Sequence, residues 1–196
     1  MMNQQKTSGK SRVLAMAALS AALSFVVFEF IRIPVSETTS IHIGNAFVVI
    51  GSLLLGGPVG GLAGAVGLSL GDLLAGLFLS APKTFFLKLI MGMIAGTLAH
   101  RVLHIRERAA AEQMKIAFFS SLAALGLNVV LDPVVGYFYK MYILGQPQEL
   151  AATLAKISSF ATLINAAICT AIVTFLWPLL YKALRRSGQL PWEPGM

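Results

Sequence analysis

Asp72, Lys88 and Asp132 each stand inside a long apolar run, together with the amides Asn45, Asn128 and Asn165. Glu29 and His42 lie at the margins of such runs. A charged or amide side chain in apolar surroundings is costly unless it meets another polar group, water or a ligand. Two carboxylates, one ammonium and several amides can grip a small polar molecule through charge-assisted hydrogen bonds. They can also pair with one another, Asp72 with Lys88 and Asp132 with an asparagine, and simply hold helices together. His42 reads either as a solvated loop histidine or as a ligand contact. Other chemistries lack their residues. No G-x-x-x-x-G-K-[ST] segment is present, so the chain does not cradle ATP. No H-E-x-x-H occurs and His42, His100 and His104 are scattered, so neither a metal nor a cofactor is expected. An intramembrane aspartyl protease would want G-x-G-D around Asp72, where Ser69 replaces the first glycine, and Asp132-Pro133 does not resemble the partner motif. The sole cysteine, Cys169, forms no internal disulfide and reads as a small buried hydrophobe.

These residues need elements to hold them, and composition says which. The chain is 57% hydrophobic and 12% charged, with a mean hydropathy of +0.79, where soluble domains carry about 25% charged residues. The deficit runs along nearly the whole length and points to one polytopic membrane domain in a lipid bilayer. The net charge of +7 then reflects basic residues collected on the cytoplasmic side rather than a nucleic-acid surface. The expected fold is all-α, a bundle of six transmembrane helices over about 13–33, 44–56, 58–79, 83–103, 116–139 and 156–182. Residues 35–42 read as a loop, 104–115 as a charged connector and 140–153 as a second loop, while Pro133 predicts a kink. The second span has only about 12 apolar residues and either crosses or re-enters.

Six crossings put both termini on one side, where ten of the 15 Lys and Arg residues also fall, among them Lys6, Arg101 and Arg186. The N- and C-termini are therefore expected in the cytoplasm. With directions set, a rise of about 1.5 Å per residue puts Glu29, Asp72, Lys88, Asp132 and Asn165 roughly 7 to 13 Å below the outer surface. Asn45 opens the second span and Asn128 lies one turn below Asp132. The cytoplasmic half reads as nearly pure Ala, Leu, Gly, Ile and Val. Polar groups gathered in the outer half above an apolar floor suggest a pocket open to the outside. Phe47, Phe78, Phe85, Phe86, Tyr137, Tyr139 and Tyr142 ring the outer ends as an interfacial belt. The pairs Gly57/Gly61, Gly60/Gly64, Gly67/Gly71 and Gly92/Gly96 permit close helix approach. Ala17, Ala18, Ala21 and Ala22 form a smooth patch on the first helix, suited either to internal packing or to docking another subunit.

Ile43-Gly44-Asn45-Ala46, then Leu53 to Gly61 (LLLGGPVGG), Gly71-Asp72-Leu73-Leu74 and Ala81-Pro82 follow in an order that resembles the S components of energy-coupling factor (ECF) transporters. These are membrane-embedded vitamin-binding subunits of prokaryotic importers. The resemblance implies a non-enzymatic subunit of the cell membrane that captures a vitamin or precursor from outside. It implies docking on a transmembrane coupling subunit carried by two ATPases, with toppling to release the ligand inside. It maps an Ala-x-x-x-Ala docking motif onto Ala17/Ala21 or Ala18/Ala22, and the ligand beneath the outer loops 35–44 and 79–84. The sequence looks most like the pyridoxine and hydroxymethylpyrimidine branch, with pantothenate and riboflavin carriers as near alternatives. The different-class alternative is a membrane scaffold or integral-membrane enzyme without transport.

Overall fold

The computed structural model describes residues 2–36 and 38–192, with side chains from residue 9 onward. Lys6 therefore lies outside the described side chains. The fold is all-α with one addition. Helix α1 (Met2–Phe30) is followed by strands β1 (Arg32–Ser36) and β2 (Thr39–His42), then α2 (Gly44–Leu55), α3 (Gly57–Leu74), α4 (Ala81–Thr97), α5 (Ala110–Phe138) and α6 (Gln148–Arg186). Among the described residues five helices are long and apolar enough to cross a membrane, and α2 is the short one. Its 12 residues rise about 18 Å, against a hydrocarbon core of about 30 Å.

The segment expected as a loop at 35–42 is an antiparallel hairpin, with Ile33 opposite Ile41 and Arg32 opposite His42. Ile33, Val35, Thr39 and Ile41 supply the β-branched residues that suit a strand. Helix α3 stops at Leu74 instead of continuing to residue 79, because Gly76 takes a positive φ of 79° and turns the chain toward Pro82, which opens α4. Helices α4 and α5 end in single π-helical turns, Leu98–Val102 and Tyr139–Ile143. Helix α6 begins at Gln148, well before the expected residue 156, and runs for 39 residues.

Helix α3 is the hub, and its glycines explain why. A β-carbon on Gly57 or Gly61 would run into α4 at Met93 or Leu89, one on Gly60 or Gly64 into α2 at Ser52 or Val48, and one on Gly67 or Gly71 into α1 at Ala21 or Phe28. From α4, Gly92 and Gly96 answer Gly61 and Gly57. Each small-residue pair thus faces a different neighbour, and backbones approach to a distance that no side chain would allow.

Chain direction puts the hairpin, the 75–80 turn and the 144–147 loop at one end of the bundle and both termini at the other. The terminal end is less purely apolar than expected. There Gln113 is fully buried, donating to the carbonyls of Ile105 and Arg108 and accepting from the indole of Trp177. A buried amide at this depth closes a turn of the connector, and all its bonds end within the protein. The C-terminal segment folds back over this end, with Leu190 fully buried and Arg12 donating to the Gly188 carbonyl.

Candidate ligand-binding site

Beneath the hairpin, side chains from α2, α3, α4, α5 and α6 converge on one cavity. Helix α2 contributes Asn45 from its first turn, and α3 contributes Asp72 from its last. Helix α4 contributes Lys83, Thr84 and Lys88, α5 Asp132, and α6 Thr162 and Asn165. Phe28, Leu68 and Leu77 form the apolar part of the wall, while Thr38, Thr39, Ser40 and His42 cover it from the hairpin. The cavity holds about 50 Å³, room for roughly three to five waters at about 10–15 Å³ each. Ligand pockets span roughly 300–1,000 Å³, so the hairpin and neighbouring side chains must yield when a larger molecule enters.

Of the eight residues singled out from the sequence, Asn45, Asp72, Lys88, Asp132, Asn165 and His42 line this cavity. Glu29 and Asn128 do not. Asn128 lies against Leu87 and Met91 in an apolar crevice between α4 and α5, and both it and Glu29 keep a buried oxygen without a partner. The expected pairings also change. Asp132 takes its cation from Lys83, at 2.8 Å, and accepts the Ser158 hydroxyl with its other oxygen. Asp72 accepts from the Thr84 hydroxyl at 2.5 Å, not from Lys88. Lys140, from the π-helical turn after α5, is buried beside Lys83, the two ammonium groups flanking Gly136. Lys83 and Lys140 are among the five basic residues that the charge count leaves for the outer side, and neither they nor Phe28 or Thr84 were singled out as site residues from the sequence.

Asn165 ties the hairpin to α6. Its amide oxygen accepts from the His42 backbone N–H at 2.9 Å and its amide nitrogen donates to the Ser40 carbonyl at 3.1 Å. The His42 ring packs edge-on against Phe28 with centroids 4.8 Å apart. Burial, and after it the Lys88 ammonium, pushes the His42 pKa down to about 3. The imidazole is therefore neutral at physiological pH. What the site offers is a set of fixed donors and acceptors, both charge signs and one aromatic ring. No group of three or more metal-ligating side chains occurs among the described residues.

The family described as ECF-type riboflavin transporter, S component, matches residues 9–186. The chain belongs to this family. It is a vitamin-capture subunit that works with the other subunits of an ECF transporter in a membrane, and the resemblance in the sequence pointed to the same class. Neither a curated protein nor a solved structure matches this S component.

Proposed function

We propose that this S component binds a small, hydroxyl-bearing heteroaromatic vitamin of the pyridoxine type in the cavity beneath the hairpin. The single observation that carries the reading is the lining. Twelve of its 15 residues are polar or charged, and Phe28 is the one benzene ring among them. A small polyhydroxylated ring satisfies such walls, whereas a large tricyclic flavin buries more aromatic surface than Phe28 alone can cover. Riboflavin is the second reading, favoured by the name of the matching family. Pantothenate, an anion that would pair with Lys88, stays an alternative, because the Asp132 carboxylate that would repel it is already held by Lys83 and Ser158.

In this reading the hairpin end faces outside and both termini face the cytoplasm, as the distribution of Lys and Arg supports. Delivery follows docking of α1 on a coupling subunit that carries two ATPases, with toppling of the whole S component. Titration of the purified protein with pyridoxine, riboflavin and pantothenate, without nucleotide, tests the assignment. Saturable pyridoxine binding, weakened at least tenfold by Asp72→Asn and by Lys88→Ala, is expected. Tighter binding of riboflavin would overturn the choice of ring, and unchanged binding in both variants would exclude this cavity.

A further inference from the structure

Lys88 is only 6% exposed and lines the cavity, yet no carboxylate of the described residues comes within 4 Å of its ammonium. Both plausible partners are engaged elsewhere, Asp132 by Lys83 and Ser158 and Asp72 through one oxygen by Thr84. Asp72 is itself 5% exposed and lines the same cavity. An ammonium and a carboxylate of this burial would normally close on each other, because neither has water enough to stay apart cheaply. Here Asp72 meets α4 at Thr84, one helical turn from Lys88, without closing on the ammonium.

We propose that Lys88 and Asp72 form a split ion pair whose gap the ligand fills, with an anionic oxygen on Lys88 and a protonated ring nitrogen or hydroxyl on Asp72. This rests on the pyridoxine-type reading and sharpens it, because a 3-hydroxypyridine in its zwitterionic form carries both groups, a phenolate and a pyridinium N–H. The surrounding charge favours the anionic half. Lys83 and Lys88 line the cavity against Asp72 and Asp132, and two further cations stand just outside the lining, Lys140 beside Lys83 and Arg32 over the Phe28 ring. The carrier therefore selects the ionised ring over its neutral ethers.

Calorimetric titration of the purified full-length protein with pyridoxine and 3-O-methylpyridoxine, on wild type and Lys88→Gln, tests this directly. Methylation removes the phenolate and, with it, the pyridinium proton of the zwitterion, and leaves the ring skeleton in place. Wild type should bind the ether about thirtyfold more weakly than pyridoxine, the size expected for a buried charge-assisted contact. Lys88→Gln should narrow that difference at least threefold, because only the phenolate half of it passes through Lys88. Penalties from methylation and substitution that simply multiply would overturn the proposal. The wild-type comparison stands alone if the variant is not recovered, and equal affinity for the two compounds then overturns it. Pyridoxine binding without coupling to Lys88 sinks the split pair and keeps the ring. If pantothenate binds in place of pyridoxine, with its uncharged alcohol pantothenol excluded by wild type and tolerated by Lys88→Gln, the split pair stands and the ring falls.

Discussion

Lys83 shows how a single side chain can be misread from sequence and still obey its rules. It follows Pro82 at the start of a helix, a position where lysines usually reach out to the interface. However, Leu87, Met91 and Ala95 follow it at four-residue spacing, all buried on the face of α4 that turns to the bundle, and Lys83 goes in with them. That periodicity was present in the sequence; the partner it needed, Asp132, lies 49 residues away and was not. Asn128 failed for the opposite reason. Depth alone put it one turn below Asp132, and depth does not say where a cavity ends. Replacing Lys83 by Met leaves Asp132 charged, buried and without its cation, and should cost about 3–5 kcal/mol, read as a lowered thermal midpoint in detergent. Lys83→Met combined with Asp132→Leu should recover most of that loss. His42 gives a second prediction at this scale. Its folded-state pKa of about 3 lies below its ordinary 6.5, so the unfolded chain takes up a proton that the folded chain refuses. Stability therefore rises with pH across that window and falls on acidification, by about 2 kcal/mol from pH 7 to pH 5. His42→Gln should flatten that part of the pH dependence of the midpoint.

At the scale of elements, the helices were legible because apolar runs of spanning length leave few alternatives. Their ends were less so. Gly76 ends α3 early through one backbone angle, and the hairpin hides in a stretch too short and too polar to announce strands. What stabilises that hairpin is partly remote. Two-stranded hairpins are marginal by themselves, and Asn165 supplies two hydrogen bonds to its backbone from α6. Asn165→Leu should therefore loosen the cover of the cavity. The expected signature is faster amide exchange across 39–42 and about tenfold faster ligand release, with the helices as protected as before; unchanged exchange there would show that the hairpin closes without α6. The glycine pairs make a complementary prediction. Gly61→Leu must push α3 from α4, since even a β-carbon would stand 2.9 Å from the Leu89 carbonyl oxygen. A loss of about 1–3 kcal/mol or more is expected from such overpacking. Gly126→Leu, with nothing within 4 Å of its β-carbon, should cost almost nothing.

For the whole molecule the question is which surface meets the coupling subunit, and α1 now separates its alanines by face. Ala17 and Ala21 are half-buried, and the Ala21 carbonyl lies where Gly67 of α3 comes closest. Ala18 and Ala22 are exposed, one helical turn apart, between exposed Leu14, Leu19 and Leu23. A helix that packs inward through Ala21, Ser24 and Phe28 presents Ala18 and Ala22 outward, and the smoothness of that strip lets another helix approach closely. The two alanine pairs, equivalent in the sequence, are thus unequal in the fold. Ala18→Trp and Ala22→Trp should leave ligand affinity and thermal midpoint within error of wild type, because neither side chain touches the cavity or the core. The same variants should abolish ligand uptake by cells or vesicles carrying the complete transporter, and should fail to co-purify with its other subunits. Ala21→Trp should behave differently, lowering the midpoint because the indole must be forced between α1 and α3 against Gly67. Uptake that survives at both exposed positions would move the docking surface off α1 altogether, while loss of binding in Ala18→Trp would mean that α1 shapes the cavity from a distance.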